Sequence, residues 1–573
     1  MIQKVGFKNF RRFKNFPEMN LGDINIFVGR NNAGKSTVLK ALQLMKGNLN
    51  TLSTISNRRS RNIFEFVEPM FVFDVDELAE LHIDNFERAL YNKSDRKEIT
   101  LSATIDGCSF TVVLDGQNIK RDNYYVAVPY NYIELKDDTI HLSYNFQTRA
   151  LSIKLRTNDI NESDDELIKN SDQIKTTQVM IHNYQQSLNQ IVAKLHSSTS
   201  DQLMASVEMI ELVSMRQELE KKLMALRKNL EVLNKKAMAI SKRHSQLTTI
   251  DIKSMPIFRG NQYRNIIDRI FTDLFNYAGT DSALDKRTRE YKSVEENRRL
   301  INDSKSELMN ASNRFQYALL GFNLEYIHAH AASQKVIYLK EDKMDVLSRA
   351  ISEFCKARIM PGDRAWTFIK KWMGMDRFGI GDDFRIDDIQ SAGYMLKIIE
   401  DGEEMDLADK GTGSIQVMTL LFSLAVIMHK VDQNIFSYFP TVLIEEPEQN
   451  IHPMLQSMLA DMFVEYWNSI NGMNKSQLII ETHSEYLIRK TQVLVASEEY
   501  ESESVLTEHN PFRVYYFEKD NTKKPYYQMT YSINGRFKES FGTGFYDAAG
   551  KLALDLSNQE KTEDDNSINW SVL

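Results

Sequence analysis

The residues that could do chemistry first appear in the stretch FVGRNNAGKSTVLKALQL, Phe27–Leu44. It contains the spacing G-x-x-x-x-G-K-[ST], after a short apolar segment and before a helical apolar pattern. In such a loop the backbone N–H groups surround phosphates, the lysine reaches the β and γ oxygens, and the hydroxyl binds Mg²⁺. We therefore predict a nucleotide-phosphate site formed by Gly29, Arg30, Asn31, Asn32, Ala33, Gly34, Lys35, Ser36 and Thr37.

Two later apolar segments end in side chains that suit hydrolysis. Residues 441–444 are followed by Glu445 and Glu446, and residues 478–480 are followed closely by His483. One carboxylate can hold Mg²⁺ through its water shell while another polarises the attacking water. We assign Glu445, with Ser36, to the metal and Glu446 to catalysis, and we predict that a neutral His483 senses the γ-phosphate. Strand ends with incidental polar residues are the structural alternative.

A second glycine-containing loop precedes a predicted helix in LADKGTGSIQVMTLL, Leu407–Leu421. Glycines leave backbone N–H groups unobstructed at a helix N-terminus, where anions bind. Because the chain already has one phosphate loop, we predict that this one docks on the nucleotide of another copy. An ordinary helix entry remains the alternative. The residues assigned to this role in trans are Gly411, Gly413, Ser414 and Gln416.

The elements that must position these residues fall into distinct stretches. The first 150 residues are strand-rich, whereas residues 161–245 contain no glycine or proline and follow heptad spacing. Two heptad runs around the polar segment HSSTSD predict an antiparallel coiled-coil hairpin, with two helices packed on the body as the alternative. We divide the chain into five parts. They are an N-terminal ATPase lobe with the phosphate loop (1–160), the hairpin (161–250), a helical region that returns to the globular ATPase part, or head (251–400), a C-terminal ATPase lobe (401–490) and a β-rich C-terminal segment with a tail (491–573).

Composition limits the class of protein. The 573 residues carry a net charge of −8, which argues against a protein that coats nucleic acid over its whole surface. A local basic strip remains, with nine Lys or Arg against three Glu in residues 216–243, and it could contact DNA or RNA or be an ordinary solvated flank. The two cysteines are too few and too distant for a disulfide framework or a zinc site. No run approaches the roughly 18 apolar residues of a membrane span, so we expect a cytoplasmic protein without a membrane partner.

In this order, the P-loop, the Gly-Gly-Gln loop, the double-acid strand and the histidine strand resemble the ABC-type ATPase heads of the SMC and RecF group. The opening KVGFKNFRRFKNF is similar to their first strand. This resemblance implies an α/β fold: an ABC-type P-loop ATPase head with a strand-rich first lobe, an inserted antiparallel coiled-coil hairpin and helical region, and a β-rich C-terminal segment. It also implies ATP and Mg²⁺, and a homodimer formed through the heads or a higher oligomer.

A narrower resemblance rests on IEEPEQNIHP, DKGTGSIQ and ETHSEYLI, which are similar to the OLD-like ATPases of anti-phage systems such as Gabija and Septu. LEYIHAHAASQKVIY and GRFKESFGTGFYDAAG resemble the PtuA-type ATPases of Septu, including forms that accompany retron reverse transcriptases. The Septu resemblance implies an HNH-type partner nuclease, and its retron-associated forms imply a reverse transcriptase with its nucleic acid.

The chain departs from these families in two places. The residues after Lys490 contain no acidic constellation spaced like the Toprim nuclease site of Gabija and OLD proteins, so we expect that this ATPase is not itself a nuclease. HSSTSD lacks the cysteine of a zinc hook. The alternatives are a RecF/SMC-like repair ATPase that acts on DNA without a toxic effector, and a nucleotide-sensing scaffold that hydrolyses slowly or not at all.

Overall fold

The computed structural model describes most of the chain outside its long central insertion. The described residues are 1–53, 69–73, 85–121, 126–158, 245–256, 265–280, 288–320, 322–328, 335–340, 345–390, 392–433, 438–471, 476–497, 510–519, 524–532 and 534–542, with isolated positions at 78, 83, 342, between 173 and 236 and between 552 and 555.

Strands and helices are numbered in chain order over these residues. The strands are β1 Ile2–Phe10, β2 Phe13–Asn20, β3 Ile24–Gly29, β4 Met70–Phe73, β5 Glu98–Ile105, β6 Cys108–Asp115, β7 Lys120–Arg121, β8 Val126–Lys136, β9 Ile140–Asn145, β10 Leu151–Asn158, β11 Ser245–Ile252, β12 Phe322–Ile327, β13 Tyr338–Leu339, β14 Asp383–Ile389, β15 Gly393–Glu400, β16 Glu403–Asp406, β17 Phe439–Glu445, β18 Gln477–Glu481, β19 Phe512–Phe517 and β20 Tyr526–Met529. The helices are α1 Lys35–Ser53, α2 Phe86–Ala89, α3 Ile266–Gly279, α4 Arg289–Asp303, α5 Lys305–Leu320, α6 Val346–Lys356, α7 Arg364–Met373, α8 Thr412–Gln433, α9 Pro453–Gln456, α10 Met458–Asn471 and α11 Glu485–Ala496.

A six-stranded sheet in the order β12-β17-β18-β3-β19-β20 lies at the centre of the fold. All its neighbouring pairs are parallel except β19–β20. Every residue of β3 and β18 is buried, which fits their nearly continuous apolar sequences, because central parallel strands are covered on both faces. The carboxyl ends of β3, β17 and β18 therefore meet at one edge.

The two faces of this sheet contribute to two separate hydrophobic cores. Leu443 and Ile479 pack into the core shared with α1 and the N-terminal sheet. Their neighbours along the strands, Val442 and Ile480, pack into the core that contains α6, α7 and α8. This alternation follows from the two-residue period of a strand, and it places the site edge between two packed layers.

An antiparallel sheet forms the N-terminal lobe, in the order β11-β10-β9-β8-β6-β5-β1-β2, with β4 and β7 paired to β8. Alternating buried and half-buried residues along β5 give it one face toward the core. β10 and β11 pair antiparallel, with Asn158 opposite Ser245, so the insertion leaves and re-enters the lobe at adjacent strand ends. Residues 245–250, placed at the end of the hairpin by the sequence analysis, are part of β11.

The predicted coiled-coil hairpin itself, residues 161–250, lies largely outside the described residues and stays a prediction. Isolated helical positions between 173 and 236 are described. The region 251–400, predicted as helical, contains helices α3 to α7 together with strands β12 to β15. In the C-terminal segment, β19 joins the central sheet beside β3. The terminal part of the chain therefore contributes to the same sheet as the P-loop strand.

Among the described helices, α8 is long and apolar enough to cross a membrane by length and composition, with a mean hydropathy of 1.6. The sequence analysis expected no such run, because the scattered polar residues of α8 interrupt its apolar stretches. Of this apolar stretch, 78% is buried inside the fold. A buried core helix of a folded domain can satisfy the same criteria of length and composition as a membrane span. α8 packs against α6 and α7.

Candidate functional site

The predicted phosphate loop connects the end of β3 to the start of α1. Gly29 and Gly34 have φ angles of 140° and 110°, which side-chain-bearing residues rarely adopt. A Cβ on Gly29 would lie 2.5 Å from the carbonyl oxygen of Phe517, and one on Gly34 would lie 2.4 Å from the ring of Phe13. Both positions therefore require glycine, and β19 helps to shape the loop.

Lys35 is folded against this loop and is only 3% exposed. Its Nζ donates hydrogen bonds to the carbonyl oxygens of Gly29 at 3.1 Å and Arg30 at 3.3 Å. Burial lowers the pKa of the ammonium group, against the opposing effect of nearby carboxylates led by Glu481. The ammonium group of Lys35 is thus held against the loop. A bound anionic ligand would compensate for the unfavourable burial of this charge.

Glu481, the last residue of β18, is the carboxylate that contacts the P-loop. The hydroxyl of Ser36 donates a hydrogen bond to its Oε1 at 2.8 Å, and Lys35 Nζ lies 3.8 Å from the same oxygen. Burial raises the pKa of Glu481 to about 7, although Lys35 pulls it down. Sequence reasoning assigned no role to this residue, which stands two positions before His483 in ETHSEYLI.

Glu446 follows the end of β17 in a left-handed conformation with φ 43°. Its backbone N–H donates to the carbonyl oxygen of Glu481 at 2.8 Å, which ties the ends of the two strands together. Its side chain accepts a hydrogen bond from Gln449 and lies 3.5 Å from His483 Nε2. The structure therefore brings the two predicted catalytic residues together.

Glu445, the predicted metal residue, is directed elsewhere in this structure. Its carboxylate accepts a hydrogen bond from the hydroxyl of Tyr326 on the neighbouring strand β12. It is not among the residues that line the cavity beside the P-loop. Its assignment to the metal remains a prediction.

The buried carboxylate of Glu448 holds the backbone of His483 in place. The sequence analysis assigned no role to this residue either. Glu448 accepts hydrogen bonds from the backbone N–H of His483 at 2.5 Å and from the hydroxyl of Thr482 at 2.8 Å. Ser484 caps α11 by accepting from the N–H of Leu487, so the chain turns into a helix directly after the histidine. Burial, followed by the charge of Lys35, lowers the pKa of His483 and favours its neutral form.

We expect Glu448→Ala to lower the turnover number more than the affinity for ATP. The change leaves the hydroxyl of Thr482 and the N–H of His483 without their acceptor, at a cost of about 1–3 kcal/mol in the free energy of unfolding. Turnover numbers, Michaelis constants and melting temperatures would check this. Glu448→Gln should restore part of the turnover, because its amide oxygen still accepts a hydrogen bond.

The matched control for Glu448 is Glu465→Ala, which removes only a surface ion pair with Lys371. Such pairs contribute little to stability. An unchanged turnover number in Glu448→Ala would contradict a positioning role for this carboxylate.

These side chains surround a cavity of about 930 Å³, within the size range of small-molecule sites. Five cationic side chains, two carboxylates and an imidazole are among the lining residues, and Arg11 and Arg12 are two of the cations. This combination of charges suits a polyphosphate with a divalent cation. The lining residues are Arg11, Arg12, Asn31, Asn32, Gly34, Lys35, Ser36, Thr37, Lys40, Arg88, Asn92, Glu446, Glu481 and His483.

The donor atoms of Glu446, Glu481 and His483 fit a divalent cation. Ligand atoms of Glu446, Glu481 and His483 lie within 4.8 Å of one another. The hydroxyl of Ser36 adds an oxygen beside Glu481. Mg²⁺ takes oxygen ligands, whereas imidazole suits transition metals better. The oxygen atoms of Ser36 and the carboxylates therefore provide a suitable set for Mg²⁺.

The second glycine loop lies outside this cavity. Gly411 has a φ of 90° and precedes α8, and a Cβ on Gly413 would lie 2.6 Å from the carbonyl oxygen of Asn450. Ser414 donates to the carbonyl oxygen of Lys410 at 3.2 Å, and Gln416 is buried. None of these loop residues lines the cavity of its own chain. A role in trans therefore remains a prediction that a second copy would have to fulfil.

Comparison with solved structures gives distant matches. An SMC head bound to the C-terminal winged-helix domain of ScpA matches at 9% sequence identity and a TM-score of 0.33, covering 92% of this chain and 98% of that chain. The SMC head domain from Thermotoga maritima matches at 8% identity and a TM-score of 0.27, covering 85% and 91%.

Sequence comparison gives short matches to curated proteins and one long match to a family. An ATP/GTP phosphatase of Helicobacter pylori is 34% identical over 88 residues, which cover 14% of this chain and 24% of that protein. The protein MJECL10 of Methanocaldococcus jannaschii is 50% identical over 44 residues, or 8% and 20%. The matched part of the chain thus spans about a quarter or less of these relatives' lengths. The family model described as an AAA ATPase domain matches residues 1–488, and the chain therefore belongs to the AAA ATPase domain family.

Proposed function

We propose that this chain is an ABC-type ATPase that binds ATP with Mg²⁺ and hydrolyses it. The observation that carries the proposal is that Lys35 and Ser36 of the P-loop line the same cavity as Glu446 and His483. A phosphate loop alone would support binding. A carboxylate and an imidazole 3.5 Å apart in the same cavity add the groups that hydrolysis needs.

Each residue then has a defined task. Lys35 and the loop N–H groups hold the β- and γ-phosphates. The carboxylate of Glu446 accepts a proton from the attacking water, and the neutral imidazole of His483 donates a hydrogen bond to the γ-phosphate or orients that water. Ser36 and nearby carboxylate oxygens would hold Mg²⁺, which when bound neutralises charge on the phosphates.

We further propose that two copies enclose two ATP molecules, with the Gly411–Gln416 loop of each copy docking on the nucleotide of the other. This arrangement requires an isologous dimer. Size measurement on Glu446→Gln with ATP should then give a species of twice the 66.5 kDa of one chain. Without ATP the same variant should run as the smaller species.

A mixing experiment tests the action in trans directly. Lys35→Ala would lack a nucleotide site, and Ser414→Arg would lack a usable docking loop, so each alone should be inactive. Mixed dimers would contain one intact nucleotide site facing one intact loop. Recovery of ATP hydrolysis on mixing would support the sandwich, whereas continued inactivity, with both variants folded and a mixed dimer formed in the presence of ATP, would contradict it.

For the biological role, we propose a sensor or regulatory subunit in the cytoplasm that gates a partner effector nuclease in bacterial anti-phage defence. The sequence resemblance to the ATPases of Septu and retron-associated systems supports this. Copurification from the native host with a nuclease whose cutting depends on ATP would support the proposal. ATP hydrolysis stimulated by DNA, with no effector bound, would favour the RecF/SMC-like alternative.

A further inference from the structure

The position of Glu481 in the sheet places its carboxylate beside the P-loop. β18 lies between β3 and β17, and its last residue therefore reaches the cavity next to Ser36. Glu481 is only 2% exposed and lines the cavity. The described residues supply no hydrogen-bond partner for its Oε2 atom.

An oxygen in this state calls for a ligand. Buried carboxylate oxygens without a hydrogen bond or a cation are unfavourable, and natural structures rarely retain them without a functional reason. The nearest cation, Lys35, lies 3.8 Å from the other oxygen, and its Nζ already donates to two loop carbonyls. The cavity is the side from which a compensating positive charge can arrive.

The distance between Ser36 and Glu481, an ordinary hydrogen-bond distance, is also compatible with both side chains binding one Mg²⁺. Mg²⁺ binds six oxygens octahedrally at about 2.1 Å, so two neighbouring ligands lie about 3 Å apart. Ser36 Oγ and Glu481 Oε1 are 2.8 Å apart. The same cation could sit against both atoms after the hydroxyl proton turns away toward another acceptor.

The carboxylate of Glu445 is less available for direct coordination. It accepts a hydrogen bond from Tyr326, and Glu481 stands between it and the P-loop in the strand order. Glu445 can still act at longer range through a metal-bound water, as the sequence analysis assigned it.

We propose that Glu481 is a direct ligand of the Mg²⁺ that accompanies ATP, adjacent to Ser36. This rests on the proposed function, since it assigns a further residue to the same site. It makes the residue two positions before His483 part of the metal site, and the charge of a cation beside Oε1 would also compensate for the burial of the carboxylate, whose Oε2 has no hydrogen-bond partner among the described residues.

The test is the dependence of nucleotide affinity on Mg²⁺, measured by calorimetry with the non-hydrolysable analogue AMP-PNP in Mg²⁺ and in EDTA. In Glu481→Gln, the amide oxygen still accepts the Ser36 hydrogen bond but the charge is lost. We expect the enhancement of affinity by Mg²⁺ to fall at least about tenfold, as when metal sites lose supporting groups. The affinity in EDTA should be maintained.

Three further variants, Glu481→Asp, Glu485→Gln and Glu445→Gln, complete the design. Glu481→Asp keeps the charge but is one methylene shorter, so it should fold like the wild type and still lose much of the enhancement. Glu485→Gln, which removes an exposed partner of Arg489, should keep all of it. An enhancement in Glu481→Gln and Glu481→Asp equal to that of the wild type would overturn the proposal, as would a loss seen only in Glu445→Gln. Absence of AMP-PNP binding by the wild type, with and without Mg²⁺, would instead refute the proposed function.

Discussion

Glu446→Gln is expected to bind ATP normally while hydrolysing it about 10²–10⁴-fold more slowly, the range that general acid–base catalysis contributes. The glutamine has the same shape and can still accept the hydrogen bond from Gln449, but its amide cannot take a proton from water. The left-handed backbone and the bond from its N–H to Glu481 are unaffected by the side-chain change. Equilibrium binding of ATP and single-turnover hydrolysis would measure the two effects separately.

Glu465→Gln is a suitable control for this variant, because it also neutralises one carboxylate but lies at a surface ion pair with Lys371. It should hydrolyse ATP at the wild-type rate. Hydrolysis at the wild-type rate by Glu446→Gln would show that another group polarises the attacking water.

Lys35→Ala is expected to abolish measurable ATP binding. Hydrogen bonds to charged groups contribute up to about 3 kcal/mol, near a hundredfold in affinity, and Lys35 is the buried cation at the loop. Loss of the ammonium group also leaves Glu481 without its nearest cation. Fluorescence titration with an ATP analogue would measure the affinity.

The loss of the cation beside Glu481 could also destabilise the fold. Lys35→Met, which retains the volume of the side chain, should therefore be titrated alongside Lys35→Ala, and the melting temperatures of both variants should be measured. Lys46→Ala, on the same helix but away from the cavity, is the control and should bind ATP like the wild type. Tight binding by a folded Lys35→Met would contradict the assignment of the phosphate loop.

The sequence was sufficient to predict those parts of the site that depend on residues close together in the chain. The glycine spacing between β3 and α1 predicts the phosphate loop, and the apolar strands before Glu446 and His483 predict that both residues emerge at a sheet edge. The structure places all three segments at one cavity, because the strands are parallel and end on the same side.

The identity of the carboxylate nearest Ser36 could not be predicted, because it depends on strand order. From the sequence, we assigned the metal to Glu445, which directly follows the apolar segment 441–444. In the fold, β18 lies between β17 and β3, so Glu481 meets the hydroxyl instead. A single sequence shows where strands end but does not show which strands are neighbours.

Contacts between residues far apart in the sequence account for the other structural features that the sequence analysis did not predict. β19 returns from the C-terminal segment to pair with β3 and to contact Gly29, a connection across nearly 500 residues that no local pattern reveals. Similarly, β10 and β11 are joined across the insertion. The role of Glu448 depends on its fold-dependent contact with the N–H of His483.

The central claim is that one cavity both holds ATP and hydrolyses it. The most direct test is to load the purified chain with γ-labelled ATP and Mg²⁺, remove free nucleotide, and follow release of labelled phosphate from the bound fraction. Wild-type protein should convert its bound ATP to ADP and phosphate, whereas Glu446→Gln should retain ATP intact. Stable retention of intact ATP by the wild type, indistinguishable from the variant, would contradict the claim and indicate a chain that binds nucleotide without hydrolysing it.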